Sequence, residues 1–280
     1  MRPTKDRLRP YPPTLNPGPV KLKRTTAMDF NPIMLAAGAE ILRIYATDFA
    51  VTGKADQSPV TEADGAAERI ILQGLARIAP DIPVVAEEEA SAGRIPETEN
   101  RFFLVDPLDG TKEFISRNGE FTVNIALVEN GEPIRGAVYA PALGRLYWGA
   151  RGEGAYVAEV TDGVMGPSIP IRTRLVPAEG LTAVGSRSHG GSETDAYLKS
   201  FHINTFRAAG SSLKFCLVAE GKADIYPRLG RTMQWDTAAG DAVLRAAGGR
   251  VETLDGEALG YGKAGSDFAN PHFVAFGYPA

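Results

Sequence analysis

Phe103-Leu104-Val105-Asp106-Pro107-Leu108-Asp109-Gly110-Thr111 is the stretch on which the reading of this chain turns. Its first residues are apolar and read as the end of a buried strand. The rest is turn chemistry: Pro107 fixes one backbone angle, and Gly110 permits angles that other residues resist. Asp106 and Asp109 stand inside that bend, so both carboxylates can face one point while the Leu108 carbonyl is free to face it too. All-oxygen ligation suits a hard divalent cation, and Mg²⁺ commonly takes a few carboxylates plus water and substrate phosphate. The plainer alternative is an Asx turn that merely ends a strand. It accounts for a bare Asp-Pro, but not for the further acidic motifs along the chain that fit the same site.

Upstream, Asn31 to Ala50 reads as a helix, with Ile33, Ala37, Ile41 and Tyr45 recurring at i+4. Ser58-Pro59 forces an extended or turn conformation. Thr61 caps a second helix whose stripe is Ala67, Ile70, Ile71, Leu75 and Ile78. Ile82 to Ala86 is a short strand running into Glu87-Glu88-Glu89, which is either a solvated loop or a ligand cluster; residues 91–101 read as a polar flap. Downstream, Phe121, Val123, Ile125 and Leu127 alternate, Asn130-Gly131 turns the chain, and Ile134, Gly136, Val138 and Ala140 return. Leu146 to Trp148 and Ala155 to Val157 extend this antiparallel meander. The Pro- and Gly-rich residues 161–178 separate the halves. Beyond them, strands at 181–185, 204–208 and 223–226 alternate with helices at 192–201, 210–219 and from Trp235 to Gly248-Gly249, an α/β pattern. The expected organisation is a basic, Pro-rich disordered tail over 1–27, an α+β half over 28–165 and an α/β half over 166–280.

The 280 residues are 44% hydrophobic, enough for a sizeable core. One cysteine, Cys216, lies in an apolar run and reads as a core thiol in a reducing compartment, the cytoplasm. The three histidines lack zinc-ligand spacing, and no apolar run is long enough to span a bilayer. Net charge is −4, but residues 1–27 carry seven basic side chains against one acidic, leaving 23 basic against 33 acidic in the remainder. A body so acidic is a poor nucleic-acid binder, yet metal ions can reverse the local sign for a small anionic substrate. The tail carries six prolines and no signal-peptide h-region. Met28 is an alternative start, and peripheral attachment to the inner membrane face through the basic residues is a second use for the segment. Oligomeric state is open at this point.

Asp106-Pro107-Leu108-Asp109-Gly110-Thr111 resembles the signature of the lithium-sensitive, Mg²⁺-dependent inositol monophosphatase superfamily. The continuation Lys112-Glu113-Phe114 and Asn118-Gly119-Glu120-Phe121-Thr122-Val123-Asn124 resembles its CysQ-type 3'(2'),5'-bisphosphate nucleotidase branch. The resemblance implies a layered α-β-α-β-α sandwich and two Mg²⁺ ions with a weakly held third. It aligns Glu87 with a metal ligand and Glu88 with an outer-shell partner, and Trp235-Asp236-Thr237-Ala238-Ala239-Gly240 is similar to its second signature. The metal set is then Glu87, Asp106, the Leu108 carbonyl, Asp109 and Asp236, although Asp236 taken alone is also an ordinary helix cap. Asp56, in a run similar to Asp-x-Ser-Pro-Val-Thr-x-x-Asp, is implied to lie beside the attacking water. Asp56 would partner Thr111, with Asp64 behind it. Gly110, Thr111 and Asp236 would touch substrate; Ser211, Lys214 and Arg228 would grip a 5'-phosphate and His189 would approach the nucleoside. Gln234 departs from the Glu frequent in this branch. The implied reaction is hydrolysis of adenosine 3',5'-bisphosphate to AMP, with the sulfated precursor PAPS as a further substrate, in support of sulfate assimilation. The alternatives are an inositol- or sugar-phosphate phosphatase and an inactive phosphate-sensing scaffold, which the full acidic set argues against.

Overall fold

The computed structural model describes residues 28–53, 59–186, 192–262 and 267–278, so the expectations for the tail, for Asp56 and for His189 lie outside the described residues. The chain opens with α1 (Asn31–Tyr45), whose first turn carries a proline at no cost in hydrogen bonding. The helix stops short of the expected Ala50 for two reasons. The Arg117 guanidinium takes the carbonyls of Tyr45 and, at 2.6 Å, Thr47. Phe49 then turns onto Phe114, ring centroids 4.5 Å apart.

After the antiparallel pair β1 (Val51–Gly53) and β2 (Pro59–Thr61), Thr61 caps α2 (Glu62–Ile78) as expected. Thr61 N–H and Oγ1 both donate to Asp64 Oδ2 at 2.7 Å, and Thr61 Oγ1 accepts from Ala63 N–H. Ala67, Ile71 and Leu75 are buried, whereas Ile78, in the last turn, is 42% exposed.

The larger sheet contains β3 (Val84–Ala86), followed by the short α3 (Glu87–Ser91), and β4 (Arg101–Asp109), followed by α4 (Thr111–Ile115). The meander continues through β5 (Thr122–Glu129), β6 (Glu132–Ala140), β7 (Arg145–Ala150), β8 (Gly154–Thr161), β9 (Val164–Met165) and β10 (Ile169–Ile171). All its pairs are antiparallel except β3 with β4. Asn130 and Gly131 both have positive φ, 52° and 80°, which matches the strand twist in a two-residue hairpin. Because β10 pairs back onto β8, the crossing between sheets falls after Ile171 rather than at 165. The Gly-Pro composition there marks a hairpin, not yet a linker.

The smaller sheet holds β11 (Leu181–Gly185), β12 (Ile203–Ala208), β13 (Ile225–Arg228), β14 (Arg250–Thr253) and β15 (Phe273–Phe276), in the order β12-β11-β13-β15-β14. Its helices are α5 (Ser192–Leu198), α6 (Leu213–Ala219) and α7 (Gln234–Ala246). α6 begins later than the expected Gly210 because Ser211 sits at φ +47° and cannot enter a helix.

Alternation along β4 feeds two cores. Phe103 and Val105 pack with Met34, Ile41, Ile71 and Leu75 of α1 and α2. Phe102 and Leu104 pack with Phe215, Val243, Leu244 and Phe273, so α6 and α7 fill the space between the sheets. α5 closes the outer face of the smaller sheet through Leu198. The result is the expected α-β-α-β-α sandwich. Each fully buried Leu, Ile or Phe contributes roughly 1.5–3 kcal/mol. Cys216 is buried among them and its thiol pKa is raised by that burial, as a core thiol requires. α7 comes unusually close to the larger sheet because it lies over the cross-strand pair Gly136 and Gly149. A Cβ at Gly136 would stand 2.5 Å from the Ala239 carbonyl oxygen, and one at Gly149 2.8 Å from Ala246 Cβ. Among the described residues no helix is long and apolar enough to cross a membrane.

Candidate active site

β4 and β5 run in register to Asp106 opposite Asn124, then slip, and Asp109 resumes opposite Thr122. Pro107 and Leu108 thus oppose a single residue, which is a β-bulge. Pro107 has no N–H for a ladder, and the Leu108 N–H is taken by Asp106 Oδ1 at 3.0 Å. The Asx turn is therefore real, and it is also the device that aims both carboxylates. Gly110, at φ +90°, closes the bend ahead of α4. A Cβ there would meet Ser211 Oγ at 2.7 Å.

Glu87 arrives from the parallel neighbour. Ala86 pairs with Val105, which sets Glu87 beside Asp106, and their side chains hydrogen-bond. Glu68, buried on α2, fixes the turn that carries Glu87. Its carboxylate accepts the N–H groups of Glu88 (2.8 Å) and Glu89 (3.0 Å). Glu89 itself pairs with Arg94 at the surface, in keeping with its having no assigned role. Asp236 arrives from the first turn of α7, where its Oδ2 accepts the Met233 N–H at 2.8 Å. The ordinary capping role thus coexists with a place on the site. Asp109 Oδ2 accepts the Ser212 N–H at 2.7 Å.

Burial is the largest cause raising the pKa of Asp106, Asp109 and Asp236. Asp106 is raised further by Glu87, Asp109 and Asp236, and Asp236 by Asp109 and Glu87. At Asp109 the Lys214 ammonium and the Ser212 contacts oppose the rise. Among the described residues no three His, Cys, Asp or Glu side chains stand in the closed arrangement of a filled metal site. The donor set nevertheless fits a hard cation. It is all oxygen, it is buried, and the Glu87–Asp106 hydrogen bond puts a proton where a cation would otherwise separate two carboxylates.

A cavity of about 290 Å³ opens onto these groups. Glu87, Asp109, Gly110, Thr111, Ser211, Lys214, Arg228 and Asp236 all line it. Asp106 is 1% exposed and lies beneath it. Glu88 and Leu108 are not on its wall. Thr111 Oγ1 donates to Asp64 Oδ1 at 3.5 Å, so the described residue that partners Thr111 is Asp64. Ser211 donates its hydroxyl to the Glu120 carbonyl, and its backbone carbonyl accepts from Lys214 Nζ at 2.6 Å. Burial lowers the Lys214 pKa to about 8, with Asp109 opposing and Arg228 adding to the fall. Arg228 has a buried Nε without a hydrogen-bond partner among the described residues. Gln234 is buried, its Oε1 accepting the Gly262 N–H at 2.7 Å, so it holds a loop. Sequence reading missed Glu68 and Ser212. For Glu68 a signal existed: with Asp64 it puts carboxylates at i, i+4 on the buried face of α2.

Glu68 yields a pH prediction. Burial, with the neighbouring Glu88 and Glu89 adding, raises its pKa from 4.5 to about 7. A raised carboxyl pKa contributes stability that is full below 4.5 and lost as pH rises through about 7. The Tm difference, wild type minus Glu68→Gln, should therefore grow as pH falls from 8 to 5 in thermal melts. A difference that is flat, or that grows with rising pH, contradicts the assignment.

Residues 22–275 match the inositol monophosphatase family. The chain is 48% identical over 239 residues to the 3'(2'),5'-bisphosphate nucleotidase CysQ of Salmonella typhimurium, covering 85% of this chain and 94% of that protein. It is 47% identical to the Escherichia coli K12 enzyme of the same name, at the same coverage. Among solved structures, CysQ from Bacteroides thetaiotaomicron superposes with a TM-score of 0.73 at 38% identity, covering 89% of this chain and 95% of that one. The IMPase of Thermotoga maritima gives 0.70 at 25% identity, with coverages of 88% and 90%.

Proposed function

Because the chain belongs to the inositol monophosphatase family, we propose that it acts there as a metal-dependent 3'(2'),5'-bisphosphate nucleotidase. It removes the 3'-phosphate of adenosine 3',5'-bisphosphate, giving AMP and phosphate, and supports sulfate assimilation from the cytoplasm; PAPS is a further substrate. The observation that carries this reading is one cavity lined by groups of both signs. Glu87, Asp109 and Asp236 line it together with Lys214 and Arg228. Arg228 disfavours the charge on Lys214, a cost that a bound anion removes, and the Arg228 Nε, without a hydrogen-bond partner among the described residues, offers a further donor. A substrate with two phosphates can use both the acidic groups, through a metal, and the cations; a monophosphate uses fewer of them.

The ligands are Glu87, Asp106, Asp109, Asp236 and the Leu108 carbonyl. Bound Mg²⁺, as two ions with a weaker third, would neutralise this set, polarise the phosphate and lower the pKa of a water. Thr111 Oγ1, oriented by its donation to Asp64, presents its lone pairs to a water hydrogen and so aims the water oxygen at phosphorus. Asp56 completes this group in the proposal, and Glu88 supports Glu87 from the next position. The water oxygen bonds to phosphorus as the bond from phosphorus to the 3'-oxygen breaks, and the proton the water gives up balances the one the freed 3'-oxygen takes, leaving phosphate and AMP. In this proposal Gly110 lets substrate approach the backbone closely, Ser211 lines the cavity with Lys214 and Arg228 to hold the 5'-phosphate, and His189 approaches the nucleoside. Phosphate release from a panel of phosphomonoesters, with and without chelator, tests the whole; no turnover of the bisphosphate overturns it.

Lithium gives a further check. The weakly held position near Asp56 would accept a small cation that cannot replace Mg²⁺. Li⁺ should then inhibit at concentrations where K⁺ at matched ionic strength does not, and equal responses to the two salts count against the third position.

A further inference from the structure

Ser212 carries more connections than a turn residue needs. It is 1% exposed and sits just ahead of α6. Its N–H donates to Asp109 Oδ2 at 2.7 Å. Its hydroxyl donates to the backbone carbonyl of Asp236 at 2.6 Å and accepts from Asn124 Nδ2 at 3.1 Å. One residue thus touches β4 at one acidic motif, α7 at the other, and β5 at the position opposite Asp106. Asp109 and Asp236 are 127 positions apart in sequence, on different layers, and their separation must be held within a few tenths of an ångström to serve one ion. Asp236 is also fixed locally by the Met233 N–H, but that bond positions it within its own element only.

We propose that Ser212 is a positioning residue that sets the distance between the metal ligands Asp109 and Asp236, and that its hydroxyl is required for tight metal binding rather than for holding substrate. The chemistry favours a hydroxyl here. A hydroxyl can donate to one group and accept from another at the same time, and without it the buried Asn124 Nδ2 would lose this partner. Asn124 is fully buried, so its amide cannot turn to solvent in compensation. The same turn carries Ser211 and Lys214, yet Ser212 itself does not line the cavity. The effect therefore falls on metal affinity and spares the Michaelis constant.

This inference rests on the metal-ligand reading above, and the experiment separates the two. Mn²⁺ binding is titrated without substrate, by the loss of the free-ion EPR signal, on wild type, Ser212→Ala and Ser212→Thr. Ser212→Ala keeps the backbone donor to Asp109 and removes only the hydroxyl. Its affinity should fall about tenfold to a hundredfold, the range for groups that orient metal ligands, while KM at saturating Mg²⁺ stays within about twofold. Ser212→Thr keeps the hydroxyl and should recover most of the loss. A Ser212→Ala protein that melts lower but binds Mn²⁺ like wild type makes the residue merely structural and overturns the proposal. A wild type that binds no Mn²⁺ overturns the metal-ligand reading itself, and this inference with it. Should Ser212→Ala fail to fold, Asn124→Ala, which frees the hydroxyl from its orienting donor, must weaken Mn²⁺ binding in the same direction. Unchanged affinity there is equally fatal.

Discussion

Asp109→Asn is expected to remove metal-dependent turnover by at least about a thousandfold while making the metal-free protein no less stable. The amide keeps the shape, and its carbonyl oxygen can still accept the Ser212 N–H. It cannot supply the negative charge that a shared cation site needs. A metal ion is worth several kcal/mol of transition-state charge stabilisation, and each 1.4 kcal/mol is about tenfold in rate. The second half of the expectation follows from burial. Asp109 already has a raised pKa because it is desolvated, so neutralising it removes a cost in the unliganded state. Two measurements suffice: phosphate release at saturating Mg²⁺, and Tm in chelator. Near wild-type turnover rules out the role of Asp109 as a ligand. Lost turnover with a collapsed Tm would show a folding defect instead.

The second large effect concerns substrate choice. Arg228→Ala should lower kcat/KM for adenosine 3',5'-bisphosphate by about tenfold to a hundredfold, since charge-assisted hydrogen bonds contribute roughly 1.5–3 kcal/mol. The same variant should leave kcat/KM for 3'-AMP nearly unchanged, because that substrate lacks the 5'-phosphate and should be poor for wild type too. Lys214→Ala should follow the same pattern, complicated by its bond to the Ser211 carbonyl. Equal losses on both substrates would make Arg228 structural. An outright preference of wild type for inositol monophosphate would replace the nucleotidase reading by the sugar-phosphatase one.

What could be read in the sequence was whatever is local. The bend at Asp106 to Gly110 is dictated by Pro and Gly, the cap at Thr61 by Thr and Asp three residues on, and the hairpin at Asn130-Gly131 by two residues that tolerate positive φ. The meander and the alternating second half were visible for the same reason. Misjudged points depended on remote partners. α1 ends early because Arg117, far along the chain, takes its carbonyls. β10 escaped notice because Ile169-Pro170-Ile171 is a strand only when β8 is beside it. The acidic set could be listed from motif resemblance, but the Ser212 contacts that position it are tertiary and leave no spacing to read, while Glu68 left only its i, i+4 spacing from Asp64. Pairing Thr111 with Asp64 likewise required the fold to bring α2 against α4.

The glycine pair beneath α7 bears on how such a site can be altered. The helix touches Gly136 and Gly149 at Ala239 and Ala246, and Ala246 lies ten positions from Asp236, roughly 15 Å along the axis at 1.5 Å per residue. The helix is a lever with its tip at the carboxylate and its fulcrum on bare main chain. One methyl group at the fulcrum would force the helix to shift, with every acidic residue still in place. The position of Asp236 therefore rests on two residues without side chains as well as on the carboxylates around it.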